Sequence, residues 1–168
     1  MEKYHTQWAA QFYTAAELTR RGYTVSLTLG NAKGTDLLVK NREGCYSVEV
    51  KGAKTKAGWY VKESPSPAEF ADFFILVYVP EKDPEKDEYS PPEFFVLTGK
   101  ETMDLVNEYV RQAVSRGRAR EKVQSGVSWG GAESFKNKWD KLRHERDTTA
   151  CGSVASRVPD RSRNDIGG

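Results

Sequence analysis

The stretch "FFILVYV", residues 73–79, is an uninterrupted apolar run held between Asp72 and Pro80. A run this short reads as a β-strand buried on both faces. Such a strand needs a sheet covered on both sides, which points to stacked layers of helix and sheet. With 168 residues, the chain is long enough for one domain with a substantial core, or for one domain plus a tail.

The flanking segments supply the layers. Residues 3–21 are expected to form a helix that stops at Gly22. Trp8, Phe12, Ala15, Ala16 and Thr19 recur there at helical spacing. Trp8 and Phe12 are expected in the core, with Trp129, Phe135 and Trp139. Residues 23–29 alternate as a strand, residues 36–40 and 45–51 form a hairpin turning at "NREG", and residues 59–61 are a short strand. "SPSPAEFADF" carries a proline-started helical segment. After "FFILVYV" come a charged, proline-rich loop, a strand at 93–98 and a helix from Gly99. That helix sets Met103, Val106, Val110 and Val114 on one stripe. A final short helix is expected near 131–142, with Phe135, Trp139 and Leu142 at i, i+4 and i+7. From Arg143 onward too few apolar groups remain to bury, so residues 1–142 are read as the domain and 143–168 as a disordered polar tail. The expected fold class is α/β, a mixed sheet flanked by helices in αβββαβ order.

Composition narrows function only modestly. There is no apolar run long enough to span a bilayer, so no membrane partner is expected. The N-terminal "MEKYHTQWAA" lacks a signal-peptide pattern, and Cys45 and Cys151 form neither a metal spacing nor a disulfide framework. A reducing, cytoplasmic location is the expectation. A net charge of +2 neither demands nor excludes nucleic acid. The stretch "RQAVSRGRAREK", 111–122, is locally basic and could follow a phosphate backbone, although cations at a helix end also suit the helix dipole. Lys33, Lys54 and Lys56 could likewise meet phosphates or simply be soluble surface. Neither His5 nor His144 has a partner pattern, and Cys45 shows no sign of being a nucleophile.

The hairpin holds the chemistry. A two-residue loop at Arg42-Glu43 pairs residues whose numbers sum to 85, which sets Asp36 opposite Glu49. Glu49 and Lys51 share a face by alternation, while Leu37, Val39, Tyr46, Val48 and Val50 turn to the core. Two carboxylates about 4.5–5.5 Å apart at Cβ repel unless a cation lies between them. Magnesium or manganese is the expected cation, held by Asp36, Glu49 and the Val50 carbonyl. Lys51 beside it would acidify a water or stabilise charge on a phosphate. The plain alternative is a solvated hairpin face with a surface Glu–Lys pair.

Asp36, twelve residues and then Glu49-Val50-Lys51 resembles the PD-(D/E)XK nuclease superfamily, and more closely a group of small bacterial proteins within it. "AAELTRRGYTVSLTLGNAKGTDLLV", "PEFFVLT" and "GVSWGGAESFKNKWDKL" carry the likeness over roughly residues 5–142. Thr35 stands where the motif has proline. The resemblance implies a restriction-endonuclease-like core and a metal-dependent nuclease acting on DNA, with RNA left open as substrate and a homodimer left open as assembly. It also implies Asp36, Glu49, Lys51 and the first-helix Glu17 as catalytic residues, with Glu17 helping to hold the metal. The opposing reading is a nucleic-acid-binding or protein-interaction module that keeps the fold without catalysis.

Overall fold

The computed structural model of the chain describes residues 2–28, 34–63, 70–85 and 87–143. Helix α1 (Lys3–Arg20) is followed by strands β1 (Thr24–Leu27), β2 (Leu37–Lys40), β3 (Cys45–Ala53), β4 (Gly58–Tyr60), β5 (Phe73–Tyr78) and β6 (Glu93–Thr98). Then come α2 (Gly99–Ser115), β7 (Gly126–Ser128) and α3 (Trp129–Ala132). Five strands form one mixed sheet in the order β1-β2-β3-β5-β6, and β4 pairs with β7 in a separate ribbon. Among the described residues, only β3 and β5 run parallel within the sheet; its other neighbours are antiparallel. This is the expected mixed α/β layering. The proline-started helix falls largely outside the described residues, as do Lys33, His144 and residues 144–168. No described helix is long and apolar enough to cross a membrane.

The central run behaves as its composition demands. Phe73, Ile75 and Val77 pack on one side with Leu18, Val48 and Val50. Phe74 and Leu76 pack on the other with Phe95, Leu97 and Val106. Each side of β5 thus has its own apolar layer, one beneath α1 and one beneath α2. The hairpin register also follows the sequence: Leu37 pairs with Val48 and Lys40 with Cys45, so paired numbers sum to 85. Asn41 supports the turn, its side-chain oxygen accepting from the backbone N–H groups of Glu43 and Gly44.

Helix α1 departs from expectation. Its buried line is Thr6, Ala10, Thr14 and Leu18, while Trp8 and Phe12 are exposed. Close approach explains the reversal. A Cβ on Gly52 would lie 2.7 Å from the Thr6 carbonyl oxygen and 2.9 Å from the Ala10 Cβ. A helix lying this near the sheet has room only for small side chains on the inner face, so the large rings sit outside. Of the other aromatics expected inside, Trp139 is buried, whereas Trp129 and Phe135 are half-buried against the core.

Two further differences lie in the C-terminal half. The buried line of α2 is Thr102, Val106, Val110 and Ala113, and Val114 is exposed. The capping box between Thr98 and Glu101 fixes the helix start, and the small Thr102 and Ala113 meet the core. The helix expected near 131–142 is instead broken into α3 and 3-10 turns at Glu133–Phe135 and Trp139–Arg143. Asn137, with φ 56°, interrupts it and donates its N–H to the Phe94 carbonyl at 2.9 Å. The last of these turns runs one residue past the expected helix, to Arg143.

Candidate active site

Strand β3 is nine residues long, but β2 accompanies only its first four. Beyond Val48 one edge of β3 has lost its neighbouring strand, and its peptide groups need other partners. Side chains provide them. Asp36, just before β2, accepts the Val50 N–H on Oδ2 at 2.8 Å. Gln7 of α1 donates Nε2 to the Val50 carbonyl at 2.7 Å and accepts the Gly52 N–H on Oε1 at 3.0 Å. Gln11, one turn further along α1, donates Nε2 to Asp36 Oδ1 at 2.7 Å. The notch where β2 parts from β3 is therefore lined by a carboxylate and two amides.

Glu49 and Lys51 follow on β3, with Nζ of Lys51 2.5 Å from Oε1 of Glu49. Both act on Asp36 electrostatically, Lys51 favouring its charged form and Glu49 opposing it. Asp36 and the Glu49–Lys51 pair are thus within electrostatic reach of one another. Burial is the largest influence on Asp36 and pushes its carboxyl above the ordinary range, against the pull of the Val50 N–H and Lys51.

The sign of this shift gives a testable expectation. A carboxyl with a raised folded-state pKa costs nothing below its unfolded pKa. It destabilises the fold progressively as pH rises through the folded value. Asp36→Asn removes that loss and can still accept the Val50 N–H. In chelator, thermal melts from pH 4 to 7 should show wild type losing stability relative to Asp36→Asn as pH rises. Parallel curves would mean that burial of Asp36 exerts no such cost.

Glu17 lies elsewhere in its interactions. It is six residues from Gln11, about 120° around the helix. Its carboxylate is 2.8 Å from Arg20 and 2.7 Å from Arg21. Hydrogen bonding from Arg20 is the main influence lowering its pKa, with Arg21 adding to it and burial opposing. Gln7 and Gln11, which sequence reasoning passed over, are the α1 residues that reach Asp36 and Val50. Their i, i+4 spacing beside the small-residue line Thr6–Ala10–Thr14 was the available signal.

The basic candidates divide. Lys54 pairs with Glu81, and Lys56 lies 3.5 Å from Glu93 and over the rings of Tyr78 and Trp129. Arg111 is paired with Glu108 and Arg120 with Glu63. Cys45 is exposed and free.

The sequence matches no protein-family model, and no curated protein matches it. Among solved structures, the chain is similar to a bacterial homing endonuclease, I-Ssp6803I. The match has a TM-score of 0.46 at 15% sequence identity, covering 84% of this chain and 91% of that one.

The donor set suits a hard divalent cation. Magnesium commonly takes one or two carboxylates and completes its shell with water and substrate phosphate. Asp36 and Glu49 offer two carboxylates, and the Val50 carbonyl a neutral oxygen with a second lone pair beyond the one used by Gln7. No group of three or more His, Cys, Asp or Glu residues suited to a metal occurs among the described residues. Glu17 is held instead by Arg20 and Arg21.

Proposed function

We propose that the protein is a metal-dependent nuclease that hydrolyses phosphodiester bonds, with DNA as substrate. The observation carrying this reading is the part-buried Asp36, bonded at both oxygens at the notch beside β3, with the Glu49–Lys51 pair within electrostatic reach of it. A solvated hairpin face does not account for it well. There a carboxylate would stay in water, whereas Asp36 is part-buried and held at both oxygens. The choice of DNA rests on the resemblance to PD-(D/E)XK nucleases.

The chain's own groups would divide the work. Gln11 and the Val50 N–H hold the Asp36 carboxylate in one orientation, and Gln7 holds the Val50 carbonyl. Asp36 and Glu49 would hold magnesium or manganese, with Val50 contributing its carbonyl. A divalent ion in such a site acidifies water and polarises a phosphate. Lys51 would donate toward negative charge as it develops on the phosphate oxygens. Glu17 would assist from outside this cluster, through water or a second ion.

Plasmid, linear and single-stranded DNA, together with RNA, are to be incubated with magnesium or manganese. Wild type should cut DNA, and chelator should stop it. Asp36→Ala should lose both cleavage and calorimetric cation binding, because the carboxylate that holds the ion is gone. If wild type cuts none of these substrates, the nuclease reading fails and a non-catalytic binding module takes its place.

A further inference from the structure

The β4–β7 ribbon has a face that the core does not use. Trp59 and Val127 pair across it and pack into the apolar layer that also holds Phe74 and Leu76. Tyr60 and Gly126, the next pair, turn to the opposite face by the alternation of a strand. Gly126 has no side chain to cover the Tyr60 ring, which is 60% exposed. Tyr60, Gln124 and Gly126, with Tyr109 of α2, line an open cleft of about 240 Å³. Sites for drug-sized ligands run to roughly 300–1,000 Å³, so this cleft suits a single planar ring system. Among the described residues, neither tyrosine ring belongs to an aromatic pair, and the side chains of Tyr60, Tyr109 and Gln124 make no hydrogen bond.

Cations lead into this cleft. Arg116 caps α2 seven residues beyond Tyr109, two turns on along the same helix face. That is about 10 Å along the axis. Gly117, with φ 86°, turns the chain back, and Val123 packs with Val110, Ala113 and Tyr109. Gln124 then enters the cleft. Between these anchors stand Arg118, Arg120 and Lys122, with Glu121 as the acid among them. Arg120 is taken by Glu63. Arg116, Arg118 and Lys122 are exposed and form no ion pair among the described residues.

Free cations ending at open aromatic rings match a flexible polyanion that carries planar groups. A duplex keeps its bases stacked on one another, whereas a single strand offers both phosphates and ring faces. The ribbon also lies on the side of the sheet that the chemistry needs. Glu49 pairs with Phe74 and Lys51 with Leu76, so both share the face on which Trp59 packs. We infer that the cleft takes one unstacked base of single-stranded DNA on the rings of Tyr60 and Tyr109. Gln124 hydrogen-bonds the edge of that base, and Arg116, Arg118 and Lys122 meet the neighbouring phosphates. Binding here names a single strand as what reaches Glu49 and Lys51, and its role as a substrate site rests on the nuclease reading.

Fluorescence anisotropy of a labelled oligothymidylate tests the binding in chelator, apart from cleavage. A length of about twelve nucleotides falls within the roughly 4–16 that one single-strand module covers. Wild type should bind it. Tyr60→Ala should bind about 5- to 150-fold more weakly, the usual loss of one base stack. Its circular dichroism should be unchanged, because the ring is exposed. Tyr60→Phe keeps the ring and should bind as wild type does. Arg116→Ala with Arg118→Ala should flatten the dependence of log affinity on log salt by about 1.4, for two phosphates at about 0.7 each. Tyr60→Ala should leave that slope alone. A wild type that fails to bind the oligonucleotide overturns the inference. So does wild-type affinity in both Tyr60→Ala and Tyr109→Ala, which would make the cleft a bare surface feature. Cleavage of duplex DNA alongside either result would leave the nuclease reading standing. Tyr60-dependent binding by a protein that cuts nothing would sink that reading and leave the binding site.

Discussion

Lys51→Ala is expected to slow DNA cleavage about 100- to 1000-fold, the usual cost of removing one donor from a preorganised site. Cation binding should persist, because both carboxylates remain. The geometry argues for this division of labour. Lys51 is 2.5 Å from Glu49 and lies on the same side of β3, so its ammonium is held at the carboxylate cluster rather than free in solvent. Its removal also has a second consequence. Lys51 favours the charged form of Asp36, so in the variant the Asp36 carboxyl should rise further from its already raised position. Protons then compete with the cation over a higher pH range. Cation titrations by calorimetry at several pH values should therefore show the affinity of Lys51→Ala beginning to fall at higher pH than in wild type. Single-turnover cleavage gives the rate. Wild-type cleavage by Lys51→Ala would remove the lysine from the chemistry, and loss of cation binding at every pH would make it a support for Glu49.

Trp59→Ala should lower stability by about 3–5 kcal/mol, the range for truncating a buried large aromatic. For a domain of this size that corresponds to a fall in Tm of roughly 10–15 °C. Trp59 is buried and stacks on Trp129 with centroids 5.6 Å apart, and its ring also packs on Phe95. Its indole N–H donates to the Val77 carbonyl at 3.0 Å, tying the β4–β7 ribbon to strand β5 of the main sheet. Truncation removes the ring contacts and leaves a buried carbonyl without that donor. Phe cannot repair the second loss, so Trp59→Phe should fall between wild type and alanine. Differential scanning calorimetry measures both. A Trp59→Ala melt within a few degrees of wild type would mean that the ribbon contributes little to holding the sheet.

Much of the fold was legible in local pattern. Strand β5 was readable from its unbroken apolar run, because burial on both faces leaves no polar position to alternate. The pairing of β2 with β3 was readable from the turn at Asn41–Gly44 and from parity, since a one-residue slip would expose Leu37, Val39 and Val48. Asp36 lies before the paired residues, and its side chain accepts from the Val50 N–H rather than continuing the ladder. Period alone failed where contact distance or a single residue decided the outcome. On α1 the large Trp8 and Phe12 sit at spacing as good as that of Thr6, Ala10 and Thr14. What selects the small line is the approach of the helix to Gly52, a contact between residues distant in sequence. The same holds for the break at Asn137, where a backbone bond to Phe94 ends a helical pattern.

Composition and spacing thus determined the layered α/β class and the hairpin register. The tertiary structure decided which amides face Asp36 and Val50. It ties Glu17 to Arg20 and Arg21, and turns Gln7 and Gln11 toward the end of β3 that β2 leaves uncovered. The physical reason is that an unpaired strand edge must be satisfied by whatever side chains the packing brings within hydrogen-bond reach. That reach is set by how the helix lies across the sheet, which the i, i+4 spacing of Gln7 and Gln11 does not encode by itself.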